Sequence, residues 1–234
     1  MDIKLLLISN SKTFGKGYLD HCTDEIKNFI NGPKEILFIP YALKDYDIYA
    51  DIAEKKFMSL GYGFTSLHRH KNKKKTVQNA KCIFIGGGNT FRLLNTIYKE
   101  DLIKTIRRAV FNGTQYIGSS AGSNIACPTI KTTNDMPIIQ PPSFEALSLI
   151  TFQINPHYID NDPKSTHMGE TREQRIIEYH EENDTPVVGL RENSLIRVEN
   201  NRVILKGTSG AKIFIKGRPA YDLYKNTELP FKQF

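Results

Sequence analysis

Three features of this 234-residue chain predict an α/β fold, a mainly parallel sheet flanked by helices on both faces. Short apolar runs alternate with helical patterns through the first half, and such alternation builds parallel strands joined by crossover helices. A single Gly118-Ser119-Ser120-Ala121-Gly122 stretch sits between an apolar run and a helix-compatible one, the context of a sharp strand-to-helix turn. The length suits one α/β domain over residues 1–234, with little room for a second.

The elements follow in order. Residues 3–8 read as a strand because only Lys4 interrupts the apolar run, and Ser9-Asn10-Ser11 looks like the loop after it. Residues 18–29 carry a helical pattern closed by Asn31-Gly32-Pro33. Residues 36–40 form the next strand, and 46–60 a helix that ends at Gly61. Residues 63–67 and 82–85 are further strands, and 93–111 is helical in two pieces broken near Glu100-Asp101. Gln115-Tyr116-Ile117 finishes a buried strand, and the small residues 121–127 can form a helix until Pro128 stops it.

From 129 to 152 the periodicity fails and the prolines Pro137, Pro141 and Pro142 appear, a long irregular stretch of the kind that more often serves function. Residues 151–154 are strand-like and Asn155-Pro156 ends them. A helix resumes over 172–181, and strands are expected at 187–190, 195–198, 202–205 and 212–216.

Composition narrows the function classes. Hydrophobic residues are 39% and charged residues 24%, ordinary for a globular protein. No apolar stretch approaches the ~20 residues that span a bilayer, and residues 3–8 are too short for a signal peptide. The three cysteines, Cys22, Cys82 and Cys127, lack metal or redox spacing and are odd in number. A cytoplasmic protein without metal or cofactor is therefore expected. The net charge of +7 is concentrated in residues 69–75, Arg-His-Lys-Asn-Lys-Lys-Lys, which reads as a solvated loop. No interleaved aromatics or recognition motif accompany it, so no nucleic-acid partner is expected.

Chemistry centres on Ser120. A serine on so tight a turn projects from the sheet, and glycines on either side remove the Cβ atoms that would clash. Its hydroxyl needs a base, normally a histidine held by an acid. Of His21, His68, His70, His157, His167 and His180, His157 stands out, because it comes just after the strand-like 151–154 and its Asn155-Pro156 end, at the carboxyl edge where reacting groups of such sheets gather. Asp135 and Glu192 are the candidate orienting acids, and spacing does not choose between them. Gly86-Gly87-Gly88-Asn89-Thr90 follows a strand without the Walker lysine or the full dinucleotide fingerprint, and its amides suit an oxyanion hole or a tight turn. Thr171 and Gln174 form a capping box that places Arg172 at the first position of a helix, where an anion is favoured.

Together, Phe84-Ile85-Gly86-Gly87-Gly88-Asn89-Thr90, Gly118-Ser119-Ser120-Ala121-Gly122-Ser123-Asn124, Thr132-Thr133-Asn134-Asp135-Met136-Pro137, Asn155-Pro156-His157 and Gly169-Glu170-Thr171-Arg172-Glu173-Gln174-Arg175-Ile176 resemble the peptidase E group of the S51 serine peptidases, the α-aspartyl dipeptidases. The resemblance covers nearly the whole chain. It implies a fold similar to the class I glutamine amidotransferases (flavodoxin-like) and hydrolysis of dipeptides that begin with aspartate. It also implies Ser120 as nucleophile, His157 as base, the Gly88 and Ala121 amides as oxyanion hole, and Arg172 with Asn89 as substrate-binding residues. Both acids match family positions; Glu192 is preferred because it follows a strand. A cyanophycinase-like peptidase and a non-catalytic acidic-peptide-binding protein are the alternatives.

Overall fold

The computed structural model describes residues 3–32, 35–164, 166 and 168–231. The strands are β1 (Leu5–Ile8), β2 (Glu35–Ile39), β3 (Gly63–Ser66), β4 (Cys82–Ile85), β5 (Gln115–Ser119), β6 (Gln153–Tyr158), β7 (Val187–Arg191), β8 (Ser194–Glu199), β9 (Arg202–Gly207), β10 (Ala211–Phe214) and β11 (Tyr221–Leu223). The helices are α1 (Thr23–Phe29), α2 (Tyr46–Ser59), α3 (Lys73–Asn79), α4 (Thr90–Lys99), α5 (Ile103–Phe111), α6 (Ala121–Asn124) and α7 (Arg172–Glu182).

A large sheet runs β3-β2-β4-β5-β1-β8-β9, parallel from β3 to β1 and antiparallel over its last two pairings. Leu5 to Ile8 are all fully buried because both faces of the sheet are covered. Leu6 and Ile8 pack with Ile26 and Phe29 of α1 and with Ala50, Ala53 and Phe57 of α2. Leu5 and Leu7 pack on the opposite side with Leu93 and Ile97 of α4 and Ile106 and Val110 of α5. A smaller sheet, ordered β11-β10-β7-β6, contributes Ile154, Val188 and Ile213 to that second cluster.

Several elements differ from expectation. The first helix is split, because Leu19 adopts a left-handed φ of 59° and a 3₁₀ turn at Asp20–Cys22 precedes α1. Pro33, expected to close that region, lies outside the described residues. Only residues 70–72 of the basic run form a loop: the Asn72 side chain caps α3 by accepting from Lys75 N–H at 3.0 Å, and Lys73 to Lys75 form its first turn. Lys73 and Lys74 pair with Glu100 and Asp101 across the surface. β6 extends through Pro156 rather than ending before it. It is an edge strand of the small sheet, where a missing N–H is tolerated. The three-residue β11 has too little pattern to read from sequence.

All three cysteines are buried and unpaired. Burial pushes the Cys22 thiol up to about 12 and holds Cys82 and Cys127 above the usual thiol range. The native protein is therefore expected to resist a thiol reagent such as dithionitrobenzoate and to react only when unfolded; rapid colour from the folded protein would contradict this packing. No helix among the described residues is long and apolar enough to cross a membrane.

Candidate active site

The turn after β5 is built by close contacts that only glycine permits. A Cβ on Gly118 would lie 2.5 Å from the Gly122 carbonyl oxygen, and one on Gly122 would lie 2.0 Å from that of Ile85. Ser120 between them holds φ 53° and ψ −109°, a backbone state that persists only where surroundings impose it. Here Ser120 N–H donates to Ile8 C=O at 2.9 Å. The buried Ser123 hydroxyl bridges Ile8 C=O and Gly118 C=O at 2.8 and 2.9 Å.

His157 reaches this serine from the small sheet. The β6–β7 register shifts between Pro156 and Tyr158, and His157 between them has φ 53°. Such a bulge re-aims a side chain. His157 Nε2 lies 3.0 Å from Ser120 Oγ, and Nδ1 lies 2.7 Å from Glu192 Oε1. The carboxylate can only accept, so Nδ1 carries the proton, leaving Nε2 to accept from the serine hydroxyl. Glu192 sits in the turn between β7 and β8, the position expected for a residue that follows a strand.

Asp135 lies elsewhere. Its Oδ2 accepts from Thr90 N–H at 2.7 Å, Thr90 Oγ1 at 2.6 Å and Thr133 Oγ1 at 3.1 Å, and no hydrogen bond joins it to His157. It anchors the start of α4. Asn89 caps the same helix, accepting from Arg92 N–H at 3.0 Å while its amide donates to Met136 C=O at 2.8 Å.

The glycine loop packs directly on the elbow, since a Cβ on Gly87 would come within 3.0 Å of Ser120 Cβ. Gly88 has φ 135°, and a Cβ there would meet Ala42 C=O at 2.7 Å. Tyr49 supports this loop from beneath. A Cβ on Gly86 would meet its hydroxyl at 2.1 Å, and burial pushes the phenol up to about 12. Ala121 opens α6, and the first amides of a helix have no intrahelical partner.

Arg172 is the first residue of α7, and the capping box forms as read, with bonds of 3.1 and 2.7 Å. The side chain is half-buried and forms no ion pair among the described residues. Burial first, and then Arg175, draw its guanidinium below the ordinary value, while Asp135 acts in the opposite sense. Arg172 and Arg175 line a depression of about 380 Å³ with Ile159, Asp160 and Glu170.

Three of the other histidines have partners of their own. His70 Nε2 contacts Thr65 Oγ1 at 2.7 Å, and His180 Nε2 contacts Thr185 C=O at 3.2 Å. His68 bridges Ser66 Oγ and Asp47 Oδ1 at 2.8 and 3.0 Å, a second serine–histidine–aspartate line. Ser66 is fully buried there, so no substrate can reach it. His21 lies in the 3₁₀ turn before α1, and His167 lies outside the described residues. Sequence reading missed Tyr49, which packs against the glycine loop, and Ser9, whose hydroxyl accepts from the His157 N–H. The one available signal for Ser9 was polarity directly after a strand at the carboxyl edge.

Among the described residues, no cluster of three or more His, Cys, Asp or Glu could hold a metal. The site brings together a serine hydroxyl, an imidazole with its carboxylate partner and a glycine loop, the parts of a serine hydrolase.

The family model described as Peptidase family S51 matches residues 5–206. Peptidase E of Streptomyces coelicolor is 45% identical over 227 residues, covering 97% of this chain and 93% of the relative. A Drosophila melanogaster protein named probable alpha-aspartyl dipeptidase is 43% identical over 213 residues, covering 90% and 89% respectively. The crystal structure of a peptidase from an acI-B1 actinobacterium superposes with a TM-score of 0.73 at 18% identity over 98% of both chains, which shows the common fold. With a family model spanning most of its length and relatives this similar, the chain belongs to peptidase family S51.

Proposed function

We propose that this chain, acting as one α/β unit, is a serine exopeptidase that hydrolyses dipeptides with an N-terminal aspartate. The observation that carries the reading is the line Ser120–His157–Glu192 at 3.0 and 2.7 Å, with Arg172, which forms no ion pair among the described residues, as the acid-reading group. The names of the relatives, peptidase E and alpha-aspartyl dipeptidase, support the substrate class.

Ser120 Oγ attacks the carbonyl carbon of the aspartyl residue while its proton passes to His157 Nε2. The negative charge on the carbonyl oxygen is held by the amides of Gly88 and Ala121, which need no reorganisation to donate. The intermediate collapses, the C–N bond breaks, and His157 gives its proton to the departing amine. Water then attacks the acyl ester, its proton goes to His157, and free aspartate leaves as Ser120 is reprotonated. Glu192 stabilises the imidazolium in both halves. Arg172 holds the substrate's side-chain carboxylate, aided by the amino end of α7, and Asn89 lies beside the glycine loop to orient the chain.

The purified protein is expected to cleave Asp-Leu, to leave Leu-Leu intact, to act weakly on Glu-Leu and to be indifferent to EDTA. Arg172→Ala should lower kcat/KM for Asp-Leu by about 10²-fold, the worth of a charge-assisted two-point contact, and erase the preference for aspartate. Steady-state rates on the three dipeptides check both. An uncleaved Asp-Leu would defeat the substrate class, and unchanged selectivity in the variant would move acid recognition to another group.

A further inference from the structure

We propose that Ser9 is a positioning residue for this reaction: its hydroxyl clips the small sheet to the large one and thereby sets the Ser120–His157 distance. The inference rests on the triad reading above. The nucleophile follows β5 of the large sheet, whereas His157 lies on β6 and Glu192 follows β7 of the small sheet. The 3.0 Å contact between serine and imidazole is therefore a contact between two sheets, and something must hold their relative placement.

The end of β1 does so with two consecutive residues. Ile8 C=O accepts from Ser120 N–H at 2.9 Å. Ser9, fully buried, accepts from His157 N–H through Oγ at 2.9 Å and donates the same hydroxyl to Leu190 C=O at 2.8 Å. The bulge at His157 explains why a hydroxyl stands there. Leu190 pairs with Pro156, and the register then slips, so His157 N–H falls outside the β6–β7 ladder. A hydroxyl both accepts and donates, and it is the smallest side-chain group able to bridge that gap.

The neighbouring residues extend the clip to the acid. Ser9 N–H donates to Ser194 C=O at 3.0 Å. Asn10 Oδ1 accepts from Asn193 N–H at 2.8 Å, and Thr13 Oγ1 donates to Asn193 Oδ1 at 2.8 Å. The loop after β1 thus grips the strand of the base and the turn of its acid, while the strand itself grips the elbow.

The test uses Asp-Leu turnover by Ser9→Ala, Ser9→Thr and Ser9→Val, each checked for folding by circular dichroism. Ser9→Ala and Ser9→Val should lose about 10²-fold in kcat, as expected for a displaced base, with KM within about twofold of the parent. Ser9→Thr, which keeps the hydroxyl, should recover most of the loss. In a His157→Ala background, Ser9→Ala should cost nothing further, because the serine acts through that histidine. A folded Ser9→Ala with parental kcat, or an equal loss without His157, overturns the clip. Amide exchange in the unmodified protein decides the matter even if the variants do not fold: a protected His157 N–H supports the bridge, and exchange at an open-loop rate overturns it. Failure of the parent to cleave Asp-Leu would instead count against the substrate reading, leaving the exchange result to judge Ser9.

Discussion

Ser120→Ala is expected to lower kcat on Asp-Leu by about 10⁶-fold, the scale on which a serine nucleophile and its base act as one unit. The elbow should survive the change. Its strained backbone is imposed by Gly118, Gly122, Ser123 and Ile8, none of which uses the Ser120 hydroxyl. The variant should therefore melt near the parent temperature and still bind aspartyl peptides through Arg172, separating lost chemistry from lost structure. The small residual rate would come from the oxyanion amides acting on water. Single-turnover assays with Asp-Leu, alongside thermal unfolding, measure both quantities. Turnover within tenfold of the parent would remove Ser120 from the mechanism.

The second large effect separates the two acids. Glu192→Gln places an amide opposite His157 Nδ1, and that amide can donate. The ring then carries its proton on Nε2 and cannot accept one from Ser120, so kcat should fall by about 10⁴-fold with little change in KM. Asp135→Asn keeps an oxygen for Thr90 N–H and the Thr90 hydroxyl. It should cost less than about tenfold, the scale of one weakened hydrogen bond. Comparing kcat for both variants decides the assignment, and a larger loss from Asp135→Asn would reverse it. Spacing alone leaves both carboxylates open, and only the place of Glu192 after a strand favours it in the sequence. The distinction arises because Asp135 is drawn to the start of α4, whereas the β7–β8 turn carries Glu192 to within 2.7 Å of the imidazole.

Much of the fold was legible because its signals are short-range. The apolar runs of β1, β2, β4 and β5 are continuous since both faces are covered, and the break between α4 and α5 fell where Glu100 and Asp101 interrupt the pattern. The capping box at Thr171 and Gln174 spans three residues and formed as read. The misreadings have specific causes. Lys73 to Lys75 looked like a loop because charge dominates the stretch, yet one asparagine cap starts a helix there. Pro156 looked like a strand end because proline donates no hydrogen bond, yet on an edge strand that loss goes unfelt.

Sequence by itself determined the strand–helix alternation, the serine elbow with its obligatory glycines, and the arginine at the head of α7, because each depends on neighbours a few positions away. Tertiary structure alone decided which acid meets His157, how a bulge turns that histidine, and which hydroxyl holds it. Those contacts join residues such as Ser9 and His157, 148 positions apart, and Ser9 and Leu190, 181 apart. Such pairings are set by how two sheets pack around a common core, and no local pattern in the chain encodes that placement.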